Sequence, residues 1–171
     1  MLLRGSRFEV HQVDIPPKKA GQPSSVRELV VHPGAVVILP LLPDGTIALI
    51  RNRRWAVSEE LWELPAGTLE PPEPPDQCAA RELIEETGYT AESITPMTKF
   101  YSCPGFCTEM LYAFLATGLN HVGQQLEETE QITVVPTPLE RSLDMIRNGD
   151  IRDAKTIATL LYYANFMRNA D

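Results

Sequence analysis

The amino-acid sequence predicts an α/β fold in which a mixed β-sheet is sandwiched between helices. Segments with strand character fill the first third of the chain, one helix follows, further strands come next, and two helices end it. A length of 171 residues suits a single domain that buries roughly two-thirds of its unfolded surface. The contents of 43% hydrophobic and 22% charged residues are ordinary for a globular protein.

The first strands are predicted from hydrophobic patterning. Residues 8–14 alternate between apolar and polar, which is typical of a half-buried strand, and residues 26–31 resume a strand. Residues 35–42 are almost continuously apolar, which favours a strand buried on both faces. The Pro-Asp-Gly turn that follows predicts a hairpin between this strand and residues 46–50.

The first helix is predicted over residues 76–87. Asp76 favours the positive end of the helix dipole, and Gly88 suits the C-terminal cap. Three further strands are predicted at residues 99–103, 110–117 and 131–135.

Two helices complete the prediction. Thr137 and Glu140 match a capping box with a proline in the first turn, and the helix they open should end near Gly149. Residues 153–167 then predict a final amphipathic helix.

Charge and cysteine content limit the classes of partner. Acidic residues outnumber basic ones 23 to 15, giving a net charge of −8, so a nucleic-acid partner is not expected. No apolar run approaches the roughly 20 residues of a membrane span, and the first ten residues lack the apolar core of a signal peptide. Three cysteines without secreted-framework spacing predict a cytoplasmic protein. A polyanionic substrate still fits if the acids hold metal ions.

The strongest chemical signal is a set of acids on the first predicted helix. Glu82 and Glu86 lie four residues apart, so their Cβ atoms share one helix face at about 5–6 Å. Glu85 lies on the edge of that face. Like charges at this spacing destabilise a helix unless a hard cation such as Mg²⁺ or Mn²⁺ binds them. For Glu85 alone, a solvated acidic face remains an alternative.

The flanking residues predict a scaffold around these acids. Arg81 lies four residues before Glu85 and eight after Glu73, so it can bridge the helix and the preceding loop. Gly67 is predicted to let that loop turn sharply and bring the Ala66 carbonyl near the helix acids.

The segment from Gly67 to Tyr89 resembles the Nudix box in full. Glu73 follows Gly67 by six residues, and residues 81–89 read Arg-Glu-Leu-Ile-Glu-Glu-Thr-Gly-Tyr, the Gly being Gly88. At roughly 7% per residue type, chance produces such a pattern in well under about one chain in a million. The resemblance implies a Nudix-type α/β/α sandwich whose box binds two or three divalent cations.

The same resemblance implies roles for individual residues. Glu82, Glu86 and the Ala66 carbonyl would be metal ligands, with Mg²⁺ expected and Mn²⁺ or another divalent cation possible. Glu85 would help to hold the metal site, and Arg81 is counted with it among the residues that serve catalysis.

A second motif resembles the ADP-ribose pyrophosphatase branch of the family. Pro104 and Gly105 follow the box at the distance of that branch's Ser-Pro-Gly signature, although Cys103 stands where the signature has serine. Taken alone, Pro-Gly is merely a turn. The resemblance implies that Pro104 and Gly105 contact substrate, that Arg54 contacts its diphosphate, and that ADP-ribose is hydrolysed to AMP and ribose 5-phosphate. A different nucleoside diphosphate sugar, such as GDP-mannose, and a non-catalytic ADP-ribose sensor are the alternatives.

The acidic loop of residues 126–131 is expected to close over the substrate. By resemblance, Glu128 is the base that takes a proton from water, and Glu130 is an auxiliary metal ligand. Glu127 is a rival for the base, since a shift of one residue exchanges them, and a solvated acidic loop is the plain alternative.

The N-terminal segment carries the remaining expectations. Residues 1–33 are expected to form a strand segment for dimerisation and adenine contacts, and residues 34–171 the Nudix hydrolase domain. In dimeric relatives an aromatic residue at the place of Phe8 stacks on adenine, although core packing would explain Phe8 equally well. A homodimer is the implied assembly, with a nucleotide sugar as the small-molecule partner and no membrane partner.

Overall fold

The computed structural model describes residues 1–168, in which three β-sheets and three helices form. The helices are α1 (Pro75–Thr87), α2 (Leu139–Asn148) and α3 (Ala154–Phe166). The strands are β1 (Leu3–Arg4), β2 (Glu9–Ile15), β3 (Ser25–Val31), β4 (Ala35–Pro40), β5 (Thr46–Arg54), β6 (Glu59–Glu63), β7 (Ala66–Thr68), β8 (Tyr89–Tyr101), β9 (Met110–His121) and β10 (Ile132–Pro138).

The central sheet is four-stranded and mixed, in the order β7-β4-β9-β8. Strand β4 runs parallel to β9 and antiparallel to β7, and β8 and β9 form a long antiparallel pair. Every residue of β4 is buried, which confirms the prediction of a strand covered on both faces. Val36 and Ile38 pack against α1, whereas Val37 and Leu39 pack toward β5, α2 and α3. The predicted sandwich is therefore confirmed.

The predicted hairpin between β4 and β5 is wrong. Strand β5 belongs to a separate antiparallel sheet with the order β10-β5-β6, and only Leu41 and Ile47 form a bridge beside the turn. The turn itself forms, because the Leu42 amide donates to the Thr46 carbonyl at 2.8 Å. Beyond it the two strands separate, since both bury residues in one core cluster and are stacked across that core instead of paired.

The helices begin and end close to their predicted limits, but the capping box of α2 is wrong. Thr137 is still part of β10, where it pairs with Ile47, and its hydroxyl donates to the Val135 carbonyl at 2.9 Å. Pro138 occupies the N-cap without a side-chain hydrogen bond, and Gly149 caps the C-terminus at φ 80°. Of the helices within residues 1–168, none is long and apolar enough to cross a membrane.

The N-terminal residues form a third sheet, ordered β1-β2-β3. It is joined to the turn between β8 and β9, because the Val30 amide donates to the Phe106 carbonyl at 2.7 Å and the Thr108 amide donates to the Val30 carbonyl at 2.9 Å. Seven large apolar side chains on or beside this sheet are exposed: Met1, Leu2, Leu3, Phe8, Ile15, Val26 and Val31.

Candidate active site

Helix α1 carries the site because its two faces have different residues. Cys78, Ala79 and Leu83 are buried against the central sheet, which fixes the rotation of the helix. Glu82 and Glu86, one turn apart, are thereby brought beside β7. Glu86 is only 3% exposed, and one of its carboxylate oxygens accepts a hydrogen bond from the Ala66 amide at 2.8 Å.

Gly67 leaves the space that the Glu82 carboxylate occupies. A Cβ atom on Gly67 would lie 1.8 Å from the carboxyl carbon of Glu82, well inside contact distance. Gly67 is a residue of β7 and is not among the glycines with positive φ. The prediction of a sharp turn there is therefore wrong: the position requires glycine because a carboxylate occupies the space of a side chain.

The pKa values of Glu82 and Glu86 are both raised above that of a free glutamate. Burial raises the pKa of Glu82 to about 7, and Glu85 and Glu130 add to the effect while Arg81 opposes it. Burial likewise raises the pKa of Glu86 to about 8, reinforced by the charge of Glu82 and opposed by the Ala66 hydrogen bond. Loss of solvation is the main cause of both shifts, and the neighbouring carboxylates add to it.

Arg81 bridges the helix and the preceding loop, as the spacing predicts. Its Nε and Nη2 atoms donate to the two carboxylate oxygens of Glu73, each at 3.0 Å. Its Nη1 atom donates to Glu82 at 2.7 Å and to Glu85 at 2.9 Å. The hydrogen bonds from Arg81 lower the pKa of Glu73. Arg81 thus holds three carboxylates in fixed places.

The arrangement of Glu82 and Glu86 fits a hard divalent cation. Among the described residues, no three His, Cys, Asp or Glu side chains group closely enough to hold a metal by themselves. Mg²⁺ commonly takes one or two protein carboxylates and completes its shell with substrate phosphate and water. Glu82, which lies over Gly67, and the buried Glu86 both have raised pKa values and match that donor set, and Ala66 lines the same pocket.

A cleft with two connected pockets contains these residues. The first, the acidic pocket, has a volume of about 550 Å³ and is lined by Glu82, Glu85, Glu86, Glu127 and Glu130 among others. The second, the side pocket, has a volume of about 470 Å³, and its walls include Phe100, Tyr101, Glu109 and Lys155. Five residues line both pockets: Arg7, Arg54, Ala66, Gly67 and Thr68. Arg54 therefore lies where a ligand would pass from one pocket into the other.

The acidic loop contributes Glu127 and Glu130 to the acidic pocket. The Glu127 amide donates to the Glu130 carboxylate at 2.9 Å, and the Glu127 carboxylate lies 3.6 Å from Arg7. Glu128 is exposed and is not among the residues that line the pocket. The choice between Glu127 and Glu128 as the base remains a prediction.

Three predicted substrate contacts lie outside both pockets of this chain. Phe8 is 44% exposed and lines a separate hollow beside His32 and Pro71. Pro104 and Gly105 are exposed in a turn closed by the Cys107 amide, which donates to the Cys103 carbonyl at 2.9 Å. From that motif, Tyr101 and Ser102 reach the side pocket instead.

Sequence reasoning assigned no role to several residues of the cleft. Arg7 lines both pockets, and a hydrogen-bond network joins Arg54 to Glu63, Lys155 and Asp153. Asp153 and Thr156 have the spacing of a helix N-cap, so the sequence alone could have predicted their contact. Lys155 and Glu63 are 92 residues apart, and no local pattern links them.

Comparison with known proteins identifies related chains. A family model described as NUDIX domain matches residues 31–160. The ADP-ribose pyrophosphatase of Bacillus subtilis is 39% identical over 155 residues, covering 90% of this chain and 82% of the relative. The methanol dehydrogenase activator of Bacillus methanolicus is 34% identical over 160 residues, covering 91% and 83%.

Two further matches extend the comparison. The GDP-mannose pyrophosphatase of Salmonella typhimurium is 34% identical over 139 residues, covering 75% of this chain and 72% of the relative. A crystal structure of an ADP compounds hydrolase superposes with a TM-score of 0.83 at 24% identity, covering 98% of this chain and 90% of the other. At that identity, the likeness concerns the fold.

Proposed function

The chain belongs to the Nudix family, and from that premise we propose that it is a divalent-cation-dependent pyrophosphohydrolase that cleaves ADP-ribose to AMP and ribose 5-phosphate. One observation carries the proposal: two carboxylates, the partly buried Glu82 and the buried Glu86, line a pocket that meets a second pocket at Arg54. The pyrophosphatase relative at 39% identity supports this choice of substrate.

The proposed cation ligands are Glu82, Glu86 and the Ala66 carbonyl, with Glu130 as an auxiliary ligand and Mg²⁺ as the cation. When bound, the cation supplies a Lewis acid that polarises the phosphoryl group and makes water more acidic. Arg81 and Glu85 keep the box acids in register through the hydrogen bonds between them.

The chain's own residues bind the diphosphate and move one proton. Arg54 pairs with phosphate oxygens, because a guanidinium presents a planar set of donors. A loop glutamate, for which we propose Glu128 with Glu127 as the rival, takes a proton from the attacking water. The water oxygen bonds to phosphorus as the bond to the bridging oxygen breaks. Positioning and charge stabilisation dominate such a reaction.

We propose that the active form is a homodimer, in which residues 1–33 pair the protomers. The exposed apolar side chains of the N-terminal sheet support this, since they would be covered by a second copy. In such a dimer, Phe8, Pro104 and Gly105 could contact substrate bound in the cleft of either protomer. Light scattering on a gel-filtration column tests the assembly, and a monomeric mass at micromolar concentration would contradict it.

We further propose that the protein works in the cytoplasm on a small nucleotide and not on nucleic acid. The three cysteines, all of them free, are compatible with a reducing compartment. The excess of acidic over basic residues disfavours a polynucleotide partner.

The test is a substrate panel with chromatographic detection of AMP. With Mg²⁺ present, the protein should release AMP from ADP-ribose faster than GMP from GDP-mannose, the second candidate because a GDP-mannose pyrophosphatase is among the relatives. Glu82→Gln should lose activity by orders of magnitude while circular dichroism shows an intact fold. If ADP-ribose binds without release of AMP, the chain is a sensor and the proposal is wrong.

A further inference from the structure

Arg54 is held by a carboxylate that solvent does not reach. Its Nε atom donates to Glu63 Oε1 at 2.7 Å, and its Nη2 atom donates to Glu63 Oε2 at 2.6 Å. Glu63 is 0% exposed, whereas the Arg54 side chain is 40% exposed. The bidentate pair uses two of the five guanidinium N–H groups and fixes the plane of the rest.

The same carboxylate binds a second cation. Lys155 Nζ donates to Glu63 Oε2 at 2.7 Å and to Asp153 Oδ1 at 2.9 Å. The other oxygen of Asp153 accepts from the Thr156 amide at 3.0 Å, and the Thr156 hydroxyl accepts from the Leu64 amide at 2.8 Å. Burial alone would raise the pKa of Asp153, but Lys155 and Thr156 outweigh it and lower that pKa.

The charges of this network show whether it attracts a phosphate. Arg54 and Lys155 supply two positive charges, and Glu63 and Asp153 supply two negative ones, so the network adds no net attraction for a phosphate. The Lys155–Glu63 pair and the hydrogen bond between the Leu64 amide and Thr156 are enough to join the start of α3 to the end of β6. The contact from Arg54 is not needed for that joint, yet it fixes a side chain that lines both pockets.

We propose that Glu63 is a positioning residue, which orients the Arg54 guanidinium at the junction of the two pockets so that its remaining N–H groups bind the substrate diphosphate, and that Lys155 and Asp153 hold Glu63 for this purpose. The inference rests on the proposed function, because it needs a diphosphate to cross that junction. Glu63 itself contacts Arg54 and not the substrate.

A double-mutant cycle on kcat/KM for ADP-ribose tests the proposal. Arg54→Ala should lower kcat/KM roughly 10- to 150-fold, the range for loss of hydrogen bonds to a charged group. Glu63→Gln should lower it by about ten-fold in the native background, since the amide nitrogen cannot accept from the guanidinium. In the Arg54→Ala background the same change should matter by less than about two-fold. The Mg²⁺ concentration for half-maximal rate should stay unchanged, because Glu63 makes no hydrogen bond to the box carboxylates.

The antiparallel pair β5 and β6, which carries Arg54 and Glu63, also offers a matched control. Glu60 pairs with Arg51 across β5 and β6, and both side chains are partly exposed. Glu60→Gln should leave kcat/KM within about two-fold. If Glu63→Gln does not fold, Lys155→Met is measured in the same cycle. It removes the cation that holds Glu63, so kcat/KM should fall in the native background and change by less than about two-fold in the Arg54→Ala background.

Each outcome decides between two explanations. Equal losses in the native and Arg54→Ala backgrounds would show that Glu63 only supports the fold, and would overturn the proposal. If the unmodified protein does not hydrolyse ADP-ribose, the proposed function fails on its own. The cycle is then run with the nucleoside diphosphate compound that the protein does hydrolyse.

Discussion

Glu86→Gln should stabilise the metal-free protein while abolishing its activity. The carboxylate is 3% exposed and lies one helical turn from Glu82, so its charge is costly in the absence of a cation. Glutamine has nearly the same shape, and its amide oxygen can accept the same hydrogen bond from the Ala66 amide. The substitution therefore removes the charge with little change in packing.

The magnitude follows from the shifted pKa of Glu86. Folding raises that pKa from 4.5 to about 8. For an acid with a raised pKa, stability is highest below pH 4.5 and falls as pH rises toward 8. At pH 7 the charge costs about 3 kcal/mol, and at pH 5 about 1 kcal/mol. In chelator, the free energy of unfolding of the variant should exceed that of the native protein by up to about these amounts.

Urea unfolding in chelator measures the difference in free energy of unfolding between the variant and the native protein at pH 5 and at pH 7. Mg²⁺ should then stabilise the native protein and have little effect on the variant, because a ligand stabilises only the state that binds it. Glu85→Gln is the control on the same helix, since Glu85 is partly exposed and paired with Arg81; it should not stabilise the protein. A Glu86→Gln protein that unfolds at lower urea than the native one at pH 7, or a difference that does not change with pH, would refute the reasoning.

Three other substitutions test the remaining parts of the site. Gly67→Ala places a Cβ atom 1.8 Å from the carboxyl carbon of Glu82, so calorimetry should show Mg²⁺ affinity reduced at least ten-fold; native affinity would contradict the packing argument. Arg81→Lys keeps the charge but has too few donors for the four hydrogen bonds that Arg81 makes to Glu73, Glu82 and Glu85, and thermal unfolding should show a free energy of unfolding lower by about 1–3 kcal/mol. Glu128→Gln should lower kcat by about 10²–10⁴-fold, whereas a larger loss with Glu127→Gln would reassign the base.

The helix that bears the box could be predicted because its determinants are local. Asp76, Gly88 and the spacing of Glu82 and Glu86 all lie within one segment, and a four-residue interval places two side chains on the same helix face whatever the fold. The buried run of β4 could be predicted for the same reason. Arg81 and Glu73 meet as expected, since the helix start fixes their separation.

Other features depend on tertiary pairing that the sequence does not display. The turn between β4 and β5 forms, but whether its strands pair or stack is decided by sheets assembled from distant segments. The hydroxyl of Thr137 is bound within β10, so the capping pattern has no helix to cap. Strand β8 begins at Tyr89, ten residues before the predicted start. The sequence did not predict this first half because it is partly exposed and has little apolar periodicity.

The acidic and the apolar residues of α1 lie on different faces. Whether a metal is needed for folding depends on whether burial of the apolar residues contributes more free energy than the charged acids cost. Burial of Leu83 alone contributes about 1.5–3 kcal/mol, and Cys78 and Ala79 are buried in the same cluster. That gain is similar to the cost of one charged Glu86 at neutral pH, and Glu82 can remain largely protonated at pH below about 7. The protein is therefore expected to stay folded in chelator near pH 6, with the far-ultraviolet circular dichroism of the Mg²⁺-bound form. Loss of that signal on chelation would show that the cation is required for the fold as well as for the reaction.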